Sequence, residues 1–396
     1  MQKPAYTLHK GTGQARVRID GKDHYLGAYD SPESRSRYDD LIANWLLKNG
    51  DAPSLSIDEL ALLYLKHAKI HYRKDGVETS EVNCITQALR HLVRTRGATL
   101  CRSFGPKALK SVRDDMIRAG LVRSSINIHI GRIRRMFKWG VAEELIPVET
   151  YQRLCTLTGL EEGRSDAKES EPVEPVPQPM IEAVRPFVSR QIWAMIQLQL
   201  LTGMRPGEVL QIRGIDVTMS GPTWEFIPRT HKTAHRKKRR IIFIGPKAQA
   251  IIKRFQKGDP QAHLFSPRES RAEFVRTHYR EGAKVAGYRD HYSVEAYETA
   301  IRRACERAHE MPKHLRKIDR SLPPETQQEL RRQASEWRKM WCWHPHQLRH
   351  NAGTDLRRQF GIEKTRTVLG HSSAVTSEIC AELDHETAKQ IIGMVG

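Results

Sequence analysis

Residues 344–350 read His344-Pro345-His346-Gln347-Leu348-Arg349-His350, and they lead into a helical pattern carrying Ala352, Leu356 and Phe360. His346 and Arg349 stand three apart, so on a helical turn an imidazole and a guanidinium project to one side. A second stretch, Thr202-Gly203-Met204-Arg205-Pro206-Gly207-Glu208-Val209-Leu210, follows an apolar helical run. Gly203 and Pro206-Gly207 predict a sharp turn that presents Arg205, with Glu208 close enough to orient its guanidinium. That planar fork of donors is matched to two phosphate oxygens. Alone, the same residues would make a turn with a surface salt bridge. A third stretch places Lys232 in the basic turn Thr230 to Arg239, between strands expected over Thr223 to Arg229 and Arg240 to Ile244. Lysine there can hold a phosphate as a point charge or protonate a departing oxygen, although any basic hairpin would look alike. The fourth is Val368-Leu369-Gly370-His371-Ser372-Ser373, where Gly370 ends one helix and Ser372 or Ser373 can cap the next, leaving His371 at the junction.

These clusters sit in a chain of 396 residues, long enough for two or three domains at roughly 150 residues each. Hydrophobic residues make up 39% and charged residues 28%, an ordinary globular mix that argues against wholesale disorder or a fibre. Charge is the departure: 66 Lys and Arg against 46 Asp and Glu give a net charge of +20, as expected of a protein that neutralises phosphates. The longest apolar run, Ile192 to Leu201, is broken by Gln197 and Gln199, and the first residues form no apolar signal core. A cytoplasmic protein with no membrane partner is expected. Cys84, Cys101, Cys155, Cys305, Cys342 and Cys380 are scattered without a paired motif, so reduced thiols are expected rather than a disulfide framework.

Working outward, Tyr6 to Gly27 alternates apolar and polar residues around Gly11, Gly13 and Gly21, which predicts two or three short strands. Pro32 and Glu33 open a helix with Tyr38, Leu41, Ile42, Trp45 and Leu46 on one face. Residues 1–50 therefore read as a small sheet with one helix, too small for more than a marginal core and so expected to move relative to the rest. Residues 54–150 read as all-helical, with four helical patterns between Ser56 and Ile146. The clearest follows a Ser56-x-x-Glu59 capping box. The fourth pattern, Ser124 to Leu145, sets Ile126, Ile130, Ile133, Phe137 and Val141 on one stripe flanked by Arg132, Arg134, Arg135 and Lys138. Such a flank is often only a solvated face, but with this surplus of positive charge it reads as a phosphate-contacting one. Residues 161–179 are acidic and carry prolines 172, 175, 177 and 179, an extended linker with little to bury. Beyond it, residues 180–396 mix helices with the strand pair. The fold class is thus multidomain, mainly α with small β elements: a sheet-plus-helix module, an all-α domain and an α+β domain.

The order Arg205 with Glu208, Lys232 on a hairpin, H-x-L-R-H at 346–350 and L-G-H-S at 369–372 resembles the tyrosine recombinases, the phage-integrase family. The resemblance covers residues 180–396 well, the helical domain by general architecture as a core-binding (SAM-like) domain, and the N-terminal module by analogy with arm-type DNA-binding modules. It implies breakage and rejoining of double-stranded DNA through a covalent 3′-phosphoprotein, in the manner of type IB topoisomerases, with no cofactor and no metal. Arg205 and Arg349 would clamp the scissile phosphate and stabilise the pentacovalent transition state. Lys232 would protonate the departing 5′ oxygen, His346 would assist acid–base chemistry, and His371 would donate a hydrogen bond to the phosphate. Glu208 and His350 would stand behind them as orienting groups. The basic residues Arg236, Lys237 and Lys238 join the α-helical cations as expected DNA contacts. A C-shaped clamp on DNA and a tetramer on two duplexes, in the cytoplasm with the nucleoid, would follow. The C-terminal tail, with Ala388, Ile391, Ile392 and Val395 at helical spacing, could pack on its own domain or dock into a neighbour, and the cyclic exchange of such tails that the resemblance implies favours the neighbour.

The family's nucleophilic tyrosine stands nine residues past the L-G-H histidine, and here that position is Cys380. No tyrosine follows Tyr297. A thiolate is a good nucleophile, and neighbouring cations would lower its pKa. Against this, the sulfur sits several ångströms nearer the backbone than a tyrosine hydroxyl, and a phosphorothiolate ester is uphill from a phosphodiester. The reading is a recombinase or integrase of a mobile element whose cutting is impaired. The alternative is a non-cutting DNA-binding regulator or architectural partner at recombination sites. Cys342, His344, His346 and His350 match no common zinc spacing. Residues 268–341, rich in Arg302, Arg303, Arg316, Lys317, Arg331 and Arg332, read as a helical insertion, by default a solvated helix pair and alternatively a DNA or subunit contact.

Overall fold

A computed structural model of the chain describes residues 4–19, 21–49, 55–74, 76–229, 240–278 and 287–370. Lys232, Arg236, Lys237, Lys238, His371, Cys380 and the tail lie outside them. The chain divides into two compact units, Met1–Glu171 and Pro172–Gly396.

The first unit opens with an antiparallel sheet in the order β1 (Thr7–His9), β2 (Gln14–Ile19), β3 (Lys22–Ala28). Alternation along β2 buries Ala15, Val17 and Ile19 while Arg16 faces outward to Asp23. Gly21, at φ +79°, supplies the left-handed backbone that a tight hairpin needs. Helix α1 (Pro32–Asn49) packs Ile42 and Trp45 against this sheet, and Tyr38 Oη donates to the Pro4 carbonyl at 2.9 Å. Four longer helices follow: α2 (Ile57–His71), α3 (Ser80–Arg96), α4 (Pro106–Arg118) and α5 (Arg123–Ala142), then a short α6 (Val148–Cys155). The capping box at α2 is present, the Ser56 N–H donating to Glu59 Oε2 at 2.9 Å. A two-residue strand pair, β4 (Arg73–Lys74) and β5 (Val77–Glu78), joins α2 to α3 where the helical reading had no strand. On α5 the stripe of Ile126, Ile130, Ile133 and Phe137 is buried, and Phe104 stacks on Phe137 with centroids 5.3 Å apart.

Two features differ from the sequence reading. The sheet module and the helices share one contiguous apolar cluster running from Ala15 to Ala167, which gives the small sheet the core that its own residues could not supply. The acidic stretch is divided rather than free. Its first part lies on α5, where the Arg123 N–H donates to the Lys168 carbonyl at 2.7 Å and the Arg123 guanidinium holds Glu169 at 2.6 Å. Its second part belongs to the second unit, where the Asn351 side chain exchanges hydrogen bonds with both backbone groups of buried Val176 at 2.9 and 2.7 Å.

The second unit is built on α8 (Arg190–Thr202), preceded by the short α7 (Gln178–Ala183) and followed by α9 (Pro206–Val209). A three-stranded antiparallel sheet comprises β6 (Val217–Thr218), β7 (Trp224–Phe226) and β8 (Ile242–Ile244), with Trp224 opposite Ile244 and Phe226 opposite Ile242. The expected strand pair is there, shorter than its sequence limits. Then come α10 (Pro246–Arg254), α11 (Pro267–His278), α12 (Val294–Ala308), α13 (Lys313–Arg316), α14 (Pro324–Trp341), α15 (Gln347–Phe360) and α16 (Ile362–Leu369). The reading of residues 268–341 as a solvated helix pair needs correction. Helix α12 buries Tyr297, Ile301, Ala304 and Cys305 in the main core, because its apolar residues recur at three- and four-residue spacing beneath the arginines. Helix α14 is largely solvated, anchored through Ala334 on a satellite cluster with Met311 and Leu315.

Candidate active site

Helix α8 ends at Gly203, whose φ of +63° reverses the chain. A Cβ at this position would collide with Leu369 Cδ2, so glycine permits the ends of α8 and α16 to meet. The reversal places Arg205 just ahead of α9. There the Arg205 backbone N–H donates to Glu208 Oε2 at 2.7 Å and its Nη1 donates to Glu208 Oε1 at 2.8 Å. Glu208 is 3% exposed. Burial pushes its carboxyl pKa up, but Arg240, the Arg205 N–H and the charges of Arg205 and Arg349 outweigh burial and hold it below the ordinary value. The carboxylate is therefore ionised and fixes the fork of Arg205, as the spacing predicted.

Arg349 arrives from α15. It is 1% exposed, its Nη1 donating to the Gly203 carbonyl and its Nη2 to the Leu369 carbonyl at 2.7 Å. One guanidinium thus caps the end of α8 and the end of α16, satisfying carbonyls that a helix terminus leaves open. His346 stands at the start of α15 with its ring 5.5 Å from that of His350. Burial, then the neighbouring His350, Arg349, His344 and Arg205, push the His346 pKa down to about 4, and its exposed face is still wetted by solvent. His346 is consequently a neutral imidazole near pH 7. His350 is buried, and burial followed by Arg349 and His344 lowers its pKa too. Arg205, Glu208, His346, Arg349 and His350 are thereby brought together from two stretches some 140 residues apart.

Two participants escaped the sequence reading. Buried Gln199 donates to the carbonyls of Met204 at 3.0 Å and Pro345 at 3.2 Å and accepts from Tyr297 Oη at 3.0 Å. It ties the Arg205 turn, the His346 turn and α12 into one node, yet in the sequence it is only a break in an apolar run. Arg240 is 7% exposed; its Nε donates to Glu208 Oε1 at 3.4 Å and its Nη1 to the Val368 carbonyl at 3.3 Å. Burial, with like charge from Arg205, lowers its pKa against the pull of Glu208. A signal for it existed, since positions 240, 242 and 244 share one face of a strand and Ile242 and Ile244 point inward. Gly370, at φ +66°, lies against the Arg240 guanidinium, with which a Cβ would collide. It ends α16 as expected.

In the first unit, the cations of α5 are partly committed. Arg132 grips Glu81 with two hydrogen bonds of 3.0 and 2.7 Å, and Arg135 adds another at 3.0 Å. The Arg132 hydrogen bond, outweighing burial, holds Glu81 below its ordinary pKa. Arg134 is half-buried and Lys138 is exposed. Among the described residues no group of three His, Cys, Asp or Glu side chains is placed to hold a metal ion, and no helix is long and apolar enough to cross a membrane.

Solved structures with a similar fold include complexes with DNA. The Tn1549 transposon integrase with a circular intermediate DNA matches at TM-score 0.56 and 15% identity, over 86% of this chain and 100% of that one. The fold is that of the tyrosine recombinases. A lambda integrase dimer bound to a COC′ core site matches at TM-score 0.51 and 13% identity, over 96% of this chain and 95% of that one. The XerH site-specific recombinase in a post-cleavage complex with a palindromic difH substrate matches at TM-score 0.52 and 12% identity, over 88% and 92%. No protein-family model and no curated protein matches the sequence at a significant level. At these identities the likeness to the tyrosine recombinases is one of fold.

Proposed function

We propose that the chain is a site-specific DNA recombinase or integrase of a mobile element, built to clamp one DNA phosphate at the Arg205–Glu208–Arg349 cluster. The observation that carries this is the charge there. Three guanidinium groups, Arg205, Arg240 and Arg349, act on one buried carboxylate, Glu208, so positive charge is concentrated at this point of the fold. A phosphodiester carries one negative charge and its pentacovalent transition state two, so such a cluster favours the transition state over the ground state. Arg205, partly exposed, supplies the donors that reach phosphate oxygens. Arg349, closed off from water, contributes its field and holds the turn. His346, being neutral, can accept the nucleophile's proton, while Lys232 would protonate the 5′ oxygen and His371 would bond the phosphate.

The attacking group would come from position 380. With cysteine there, sulfur would bond to phosphorus as the 5′ oxygen leaves with a proton, giving a phosphorothiolate of higher energy than the ester it replaces. This chain therefore occupies its site and cuts poorly. The alternative, a non-cutting DNA-binding regulator or architectural partner, is favoured by the same cysteine. Four protomers on two duplexes, with tails exchanged, would perform strand transfer in the cytoplasm, at the nucleoid. The fold neighbours support assembly on DNA, lambda integrase being a dimer on its core site.

A test incubates the unaltered chain and the Cys380→Tyr variant with DNA spanning the flanks of its own gene and resolves covalent adducts on denaturing gels. An adduct from the variant alone fits the proposal. An adduct from the unaltered chain, lost on Cys380→Ser, overturns the impairment. Binding without an adduct from either supports the regulator.

A further inference from the structure

Away from the Arg205 cluster, α12, α13 and α14 enclose an open pocket of about 550 Å³ lined by Arg302, Arg303, Glu306, Arg307, Arg316 and Arg338. Glu306 is buried and already matched, accepting from Arg338 Nε at 2.7 Å. Arg302, Arg303, Arg307 and Arg316 are exposed and make no ion pair or side-chain hydrogen bond with any described residue. The same segment pairs its arginines elsewhere: Arg332 holds both Glu329 and Glu336 at 2.6 Å. Four guanidinium groups left uncompensated around one concavity repel one another until an anion enters.

We propose that this pocket is a second phosphate site, one that grips consecutive phosphates of a DNA backbone outside the cleavage site. Arginine rather than lysine at every position suits phosphate oxygens, which accept two parallel hydrogen bonds from each fork. The walls carry no apolar or aromatic side chain, whereas pockets for small molecules are mostly apolar with a few polar groups. With no apolar or aromatic wall to seat a base, the grip is assigned to phosphates and is independent of sequence. The satellite cluster of Met311, Leu315 and Ala334 fixes α13 on α14, so the backbone that carries Arg316 is set beside Arg338 beforehand.

The inference rests on the DNA-binding reading and adds a contact to it. The test measures affinity of the full chain for a DNA duplex across a salt series, with the triple variant Arg302→Ala, Arg303→Ala, Arg316→Ala. A charge-matched control carries Arg320→Ala, Arg331→Ala and Lys339→Ala on the same segment. Each lost phosphate contact lowers the slope of log K against log salt by about 0.9, so the pocket variant should lose roughly 2 to 3 while the control keeps most of its slope. Equal losses in both would reduce the pocket to general surface charge and overturn the proposal, as would an unchanged slope in the pocket variant. Tripolyphosphate titrated by calorimetry separates the sources. Binding of it that the triple variant loses, with the DNA slope unchanged, would assign the site to a small polyphosphate and overturn the DNA assignment. Absence of salt-dependent binding in the unaltered chain would instead sink the DNA-binding reading itself.

Discussion

Arg240 reaches Glu208 from two residues ahead of β8, its Nε 3.4 Å from Oε1, while its Nη1 reaches the Val368 carbonyl on α16. One buried side chain therefore links the carboxylate that orients Arg205 to the helix end that leads to position 371. Removing Arg240 takes away one of the groups that hold buried Glu208, which keeps Arg205, and opens the Val368 carbonyl, a loss of about 1 to 2 kcal/mol. Arg240→Met should lower the urea midpoint of the full chain by a corresponding amount, and Arg240→Lys by less. A midpoint unmoved by Arg240→Met would mean that the linkage contributes no stability.

Glycines 203 and 370 set the clearances around this linkage. Both have positive φ, and a Cβ would strike Leu369 at one and Arg240 at the other. Gly203→Ala and Gly370→Ala should each cost about 1 to 3 kcal/mol, more than the same change at Gly163, which also has positive φ but no neighbour within 4 Å. Thermal melts of the three variants compare them directly, and equal losses at all three would leave only backbone strain at work.

His346 gives the fold an acid sensitivity of known sign. Its pKa is about 4 in the folded chain against an ordinary 6.5, so between these values the unfolded chain binds a proton that the folded chain does not. Stability due to the neutral ring is complete above pH 6.5 and is lost as pH falls toward 4. His344 and His350 are lowered as well and act in the same direction. The urea midpoint should drop between pH 7 and 4.5, and by less in His346→Asn. An identical drop in that variant would place the sensitivity elsewhere.

Much of this was legible beforehand, and the reasons differ by residue. The Arg205–Glu208 pair was readable because its geometry is local: a reversal at glycine, a proline at the helix start and a carboxylate three residues on. The buried stripe of α5 followed from helical period alone. Arg240 was hidden inside a run of basic residues, where charge drew attention away from strand parity. Gln199 was hidden because its three partners come from stretches that only tertiary packing brings together. Helix α12 is easily misread because Arg302, Arg303 and Arg307 draw attention to its charge, although its apolar residues keep core spacing. The pairing of Arg132 and Arg135 with Glu81 joins α5 to α3, a contact that no local pattern announces.

That pairing makes a prediction for DNA binding. Glu81→Gln removes the charge that holds Arg132 and Arg135, freeing cations at the proposed phosphate-contacting flank. The salt slope for duplex binding should steepen by about 1 for each phosphate newly contacted. A slope unchanged by Glu81→Gln would indicate that this flank of α5 faces away from DNA.

The most direct measurement of the phosphate clamp is covalent adduct yield on own-flank DNA in the Cys380→Tyr background, with and without Arg205→Ala. Loss of one preorganised donor at developing charge slows a reaction about 100- to 1,000-fold. The clamp predicts an adduct from Cys380→Tyr that falls by at least that factor when Arg205 is removed, with DNA binding largely kept. An adduct formed at the same rate without Arg205 would contradict it.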